Sequence, residues 1–199
     1  MDFAAFISFS IFASIAAITP GPNNLMLAAS GANFGLKHTL RHIAGVTTGF
    51  LALVFALVMG LSSLFAALPD LYDIMRGMAF GFLLLLAWKI ANAGPIEDAK
   101  ASKPIGFGTA FAFQWVNPKA FTVTISAITA YTESSTSLAS DLTLILLIFF
   151  VVTIISTFAW TIAGQMIGRF LKDDTARRIF NYVMAALLVA SLLPVILSL

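Results

Sequence analysis

Apolar residues run along this chain in charge-free stretches, from Phe3 to Leu36, Ile43 to Pro69, Gly77 to Trp88, Pro104 to Pro118, Ala120 to Thr132, Leu142 to Gly168 and Ile179 to Leu199. A helix that crosses a bilayer takes about 20 such residues. The fourth and fifth stretches join as one helix interrupted only by Lys119, and the third reaches full length when Arg76 and Lys89 snorkel at its two ends. The pattern therefore predicts an all-α polytopic membrane protein. Six transmembrane helices are expected at approximately 3–32, 41–68, 71–92, 105–131, 142–168 and 176–198. They form a single domain over 1–199, with the loop 93–104 joining its halves.

Two of these spans are broken by proline, the first at Thr19-Pro20-Gly21-Pro22-Asn23-Asn24 and the fourth at Asn117-Pro118-Lys119. Proline removes an N–H and clashes with the carbonyl four residues back, which frees polar backbone groups where no water can satisfy them. Transporters use such freed helix ends to hold cargo. The broken helices are the first and the fourth, corresponding members of two three-helix halves, and an odd number of helices per half inverts the second relative to the first. Two inverted three-helix repeats with a site at their interface are the expected architecture.

The distribution of charge orients this arrangement. Of the 11 basic residues, Lys37, Arg41, Lys89, Lys100, Lys103, Arg169, Lys172, Arg177 and Arg178 fall on one side, Arg76 on the other and Lys119 inside the apolar region. By the positive-inside rule the basic side is cytoplasmic and both termini face outward, where Asp70, Asp73, Glu133 and Asp141 also lie.

Composition agrees: the 199 residues are 60% hydrophobic and 10% charged, with a mean hydropathy of +0.98. No length is left for a soluble domain. Cysteine is absent, which excludes disulfides, thiolate metal sites and dithiol relays. The net charge of +2 sits in short loops and implies no nucleic-acid partner. The first segment is expected to be retained and not cleaved as a signal peptide, because Asp2 stands in place of a positive region and the basic residues follow the apolar run.

The candidate site follows from the breaks. Asn117 can cap a new half-helix whose first turn holds Pro118 and Lys119, and Pro20-Gly21-Pro22 offers the same to the second half of helix 1. Each restarted half-helix turns a partial positive charge toward the membrane centre, which favours a carboxylate. Lys119 adds a full charge and is a functional candidate by its depth alone. No acidic residue accompanies it, so a zwitterion with a neutral side chain fits better than a cationic one. The substrate ammonium needs acceptors, which the freed carbonyls and the amides of Asn23, Asn24, Gln114 and Asn117 can supply. The plainer alternative is that each proline only kinks its helix, that Lys119 is a fixed charge bonded to carbonyls, and that the amides satisfy one another.

Three Gly-xxx-Gly pairs, Gly45/Gly49, Gly77/Gly81 and Gly164/Gly168, allow close helix approach, with internal packing expected for at least two and a homodimer as the other use. Thr153, Ser156, Thr157, Trp160 and Gln165 give helix 5 a polar face suited to an interior pathway. His38 and His42, four apart, lack further metal ligands and are read as loop or interfacial residues, with pH sensing as the alternative role. No metal, cofactor or catalytic residue is expected.

Taken together, Thr19-Pro20-Gly21-Pro22-Asn23-Asn24, the basic turn Gly35-Leu36-Lys37-His38-Thr39-Leu40-Arg41, Ala44-Gly45, Leu86-Ala87-Trp88-Lys89-Ile90-Ala91, Lys103-Pro104-Ile105 and Gln114-Trp115-Val116-Asn117-Pro118-Lys119 resemble the LysE-type amino-acid exporters. The resemblance is close over helices 1 to 4 and rests mainly on hydropathy beyond. It implies a secondary transporter of the bacterial inner membrane that exports amino acids or close metabolites using the proton gradient. The Pro-Gly-Pro-Asn-Asn and Leu-Ala-Trp-Lys-Ile-Ala forms are most similar to the cysteine and O-acetylserine exporters, with the homoserine, threonine and leucine exporters next. Lys119 is then the candidate for proton coupling as well as for the carboxylate, ahead of the two histidines. Two rivals stay open on the residues alone. A membrane-embedded enzyme would need converging acids, histidines or a metal, whereas a non-transporting scaffold accounts for the glycine pairs and leaves the two breaks unexplained.

Overall fold

The computed structural model describes residues 1–61, 69–93, 103–131, 138–171 and 173–191. Their regular elements are all helical: α1 (Phe3–Ile18), α2 (Pro22–Ala56) continued by a π-helical turn Leu57–Leu61, α3 (Pro69–Ala91), α4 (Phe107–Gln114), α5 (Pro118–Tyr131), α6 (Leu138–Phe170) and α7 (Asp174–Ala190). The end expected for the second span at 62–68, most of the 93–104 loop, Glu133, Lys172 and the end expected for the last span lie outside the described residues.

Proline punctuation divides the first and fourth expected spans into α1 with the start of α2, and α4 with α5. The next boundary is set by glycine. Gly35 has φ 75° and ψ 170° inside α2, a conformation that side chains bearing a Cβ adopt only under strain. Across it the Ser30 and Thr39 hydroxyls meet at 2.9 Å, although nine residues of straight helix would separate them by about 13 Å. The chain therefore doubles back at Gly35, and 22–34 and 36–56 form a hairpin. Lys37, His38 and Arg41 lie in the first turns of its second arm and not in an extended loop. The N–H of Leu36, left without a helical partner by the turn, donates to Gln165 Oε1 at 2.6 Å. Space around Gly35 is open, the nearest neighbour of an added Cβ being Gln165 Oε1 at 3.6 Å. Gly35→Ala should thus cost only backbone strain, about 1–3 kcal/mol, read as a lower melting temperature in detergent.

Two apolar cores flank the middle of the molecule. One joins Leu25 and Met26 to Leu83, Leu86, Phe113, Met184 and Leu188; the other joins Phe9 and Ala13 to Phe50, Leu53, Phe121, Ile145 and Phe149. Each broken segment thus contributes one half to each core, and both breaks fall at the boundary between them. The end of the molecule near the first core is basic: Lys37, Arg169 and Arg177 border one open cavity there, and Lys89 and Lys103 border a second.

Close backbone approach holds the long helices. A Cβ at Gly164 would overlap the Ala28 carbonyl, one at Gly168 the Ala32 carbonyl, and one at Gly45 the Phe107 carbonyl, whereas Gly77 and Gly81 have nothing within 4 Å. Two of the three glycine pairs serve internal packing, as expected. Outward, rows of large apolar side chains stand exposed, among them Leu147, Val151, Ile155 and Ile162 on α6 and Ile179, Val183 and Leu187 on α7. Such rows are stable against lipid and not against water. α6 is apolar over Asp141–Phe170, a length that crosses a bilayer.

Candidate functional site

α1 ends at Ile18 because Pro20 cannot extend it, and Pro22 opens α2 at the position where a missing N–H is harmless. The break leaves the carbonyls of Ala17, Ile18 and Thr19 without helical partners. Side chains from three other segments supply them. Asn24 Nδ2 donates to Ala17 O at 2.8 Å and to Thr19 O at 2.9 Å. Ser156 Oγ donates to Ala17 O at 2.7 Å, and Trp160 Nε1 to Ile18 O at 3.1 Å. Lys119 Nζ donates to Thr19 O at 2.6 Å, crossing from one break to the other.

The second break is closed more locally. After α4, the N–H groups of Trp115, Val116 and Asn117 bond three residues back, in tight 3₁₀-type turns. Asn117 Oδ1 then accepts from Lys119 N at 3.1 Å, the capping role expected of it. The two breaks are also tied through a reciprocal amide pair: Asn23 Nδ2 donates to Gln114 Oε1 at 2.8 Å and Gln114 Nε2 to Asn23 Oδ1 at 3.0 Å. The N-terminus at Pro22, by contrast, has no side-chain cap.

Between the breaks lies a cavity of about 80 Å³, walled by Gly21, Pro22, Asn23, Asn24, Asn117 and Lys119 on its polar side. Thr153, Ser156 and Thr157 continue that wall from α6, and Ala13, Ala17, Val46, Phe50, Val123 and Phe149 close it with apolar groups. A single water needs about 10–15 Å³ of such space, so the cavity takes several waters or one small solute. Among the described residues, no acidic side chain borders it. A Cβ at Gly21 would lie 2.8 Å from Lys119 Cδ, so a larger residue there must push the lysine stem aside.

Six of the residues expected at the site thus share one cavity. Gln114 is buried behind it and braces Asn23. Pro20 is exposed and Pro118 half-buried, and neither borders the cavity. The expected acceptors for a substrate ammonium are largely engaged by protein donors, as in the plainer reading of the amides. Ser156 and Trp160, expected only to line a pathway, complete the first break. His42 departs from the sequence expectation: it is fully buried, because the hairpin at Gly35 starts its helix six residues earlier and turns it inward, while His38 stays exposed. The turn was expected over 33–40, and only its exact position at Gly35 would have revealed the burial.

Residues 14–193 match the family model described as LysE type translocator. The chain belongs to the LysE type translocator family. Relatives named cysteine/O-acetylserine efflux protein, from Escherichia coli strain K12 and from Shigella flexneri, are each 30% identical to it over 183 residues, which is 92% of this chain and 92% of theirs. No solved structure matches. A translocator is a membrane transporter and not an enzyme, so the enzyme and scaffold alternatives fall away.

Proposed function

We propose that this translocator is a secondary exporter of small neutral amino acids or their acylated derivatives, of the cysteine and O-acetylserine kind, across the bacterial inner membrane, driven by the proton gradient. The homoserine, threonine and leucine class is the next candidate. The observation that carries the reading is the cavity where both broken helices meet, bordered by the Lys119 ammonium and by the uncapped helix start at Pro22. Both favour a carboxylate. The apolar wall of Phe50, Val123 and Phe149 suits a short neutral side chain, and the absence of an acid among the described lining residues disfavours a cationic one. The relatives' named cargo supports the same class.

In this proposal residues 1–199 form one domain of six spans in two inverted three-helix repeats, with both termini outside and the 93–104 loop in the cytoplasm. The support is the way each broken segment divides itself between the two cores. The site comprises Gly21, Pro22, Asn23, Asn24, Asn117 and Lys119, with Pro20 and Pro118 making the breaks and Gln114 fixing Asn23. The open Gly77/Gly81 face is where a second copy would pack if the protein is a homodimer.

Uptake into proteoliposomes, with and without an imposed pH gradient, across cysteine, O-acetylserine, homoserine, threonine, leucine and lysine tests the reading. Gradient-dependent accumulation of a neutral member and not of lysine is the expected result. Failure of every amino acid, under conditions in which a known exporter works, would refute it.

A further inference from the structure

His42 is fully buried, and neither ring nitrogen has a hydrogen-bond partner among the described residues. An imidazole always carries at least one N–H donor and, when neutral, one acceptor, so leaving both unpaired inside an apolar protein is unfavourable in every resting state. A group kept at that cost points to a task performed in another state of the cycle. Its position suggests the task. Val46, one helical turn further along the same face, borders the central cavity. Thr39, one turn back, accepts from Ser30, since its own hydroxyl proton is committed to Gly35 O at 2.8 Å. Ser30 in turn borders the basic-end cavity of about 390 Å³. Ser30, Thr39 and His42 therefore stand in order between the two cavities.

We propose that His42 is the proton-carrying residue of the transport cycle, taking up a proton in the state that opens it to the central cavity and releasing it toward the Ser30 cavity. This rests on the exporter reading above and assigns its proton to His42 in place of Lys119, whose ammonium is held by Thr19 O. α4 has no titratable residue, α5 contributes Lys119 and Tyr131, and α6 contributes Asp141 and Arg169 near its two ends. α7 brings Asp174, Arg177, Arg178 and Tyr182, and α3 brings Lys89 in its last turn and Asp70, Tyr72, Asp73 and Arg76 at its start. On α2 itself Lys37, His38 and Arg41 are exposed. Among the described side chains, none is bonded to His42.

The experiment compares wild type with His42→Gln in proteoliposomes, measuring exchange of labelled substrate without a gradient and accumulation with one. In the wild type, exchange should fall as pH drops from 8 to 5, because a proton on the carrier excludes substrate, and a pH gradient should drive accumulation. In His42→Gln, exchange should persist with a flat pH profile and gradient-driven accumulation should fall at least tenfold, to the level seen without a gradient. Accumulation matching the wild type would overturn the proposal, as would loss of exchange together with accumulation in a variant that still melts cooperatively. A wild type that exchanges no amino acid would refute the exporter reading itself, and one that exchanges without responding to a gradient would refute proton driving and His42 with it. Should His42→Gln fail to fold, His38→Gln leaves His42 as the sole histidine of the two in the chain. Its ring ¹⁵N shifts, followed in nanodiscs as the pH is lowered, should then show a neutral ring while His42 is buried and a protonated one in the state that opens it to the central cavity. A ring that stays neutral throughout overturns the proposal.

Discussion

Lys119→Met should abolish transport in a protein that still folds. Methionine keeps the length and apolar stem that pack over Gly21, but it deletes both the link to Thr19 O and the cationic group bordering the cavity. A charge-assisted contact to a carboxylate contributes about 1.5–3 kcal/mol, so substrate affinity should fall about ten- to hundredfold. Turnover should fall further, since Lys119 also ties the end of α1 to the start of α5 across 100 residues of sequence. Binding by ligand-induced thermal shift, uptake in proteoliposomes and helical content by circular dichroism separate these effects. If affinity stays as in the wild type, Lys119 does not hold the carboxylate.

Gly164→Ala should have the largest effect on stability. The added Cβ would run into the Ala28 carbonyl, while Gly31 faces the Thr161 backbone and Gly168 the Ala32 backbone. These contacts are backbone against backbone, so no flexible side chain can move aside, and the 22–34 arm must be displaced from α6. Overpacking typically costs about 1–3 kcal/mol; here the upper end or more is expected, with a marked drop in melting temperature. The displacement would also shift Asn23 and Asn24, so transport should fail in any protein that remains folded. Gly77→Ala and Gly81→Ala, which meet nothing within 4 Å, are the controls and should melt like the wild type when monomeric. Equal tolerance at Gly164 and Gly77 would contradict the packing described.

Much of this arrangement is legible in the amino-acid order. Pro20, Pro22 and Pro118 act on their own neighbours, so α1, α2, α4 and α5 start or stop where the prolines require. Asn117 could be named as a cap because a cap reaches only two or three residues along the same chain. The glycine pairs were readable as close-packing surfaces, but the choice of Gly45/Gly49 and Gly164/Gly168 over Gly77/Gly81 was not, since spacing says nothing about which helix arrives opposite. His42 and Gly35 show the same limit. The sequence placed the reversal between the first two spans, over 33–40, but not on the single residue Gly35, so it gave no sign that the second arm begins at Leu36 and buries His42.

Hydropathy, proline placement and the clustering of basic residues are additive or short-range properties, and they alone specified a helical membrane protein with two interrupted segments. Whether a freed carbonyl stays open for a ligand is a different kind of question. Its answer depends on which donors the fold brings from far away: Lys119 to Thr19, Ser156 to Ala17 and Trp160 to Ile18. Because an unsatisfied carbonyl in an apolar interior costs as much as a lost hydrogen bond, folding drew these distant side chains into the first break. What remained open was the space beside Lys119 and the uncapped helix start at Pro22, the place proposed for cargo.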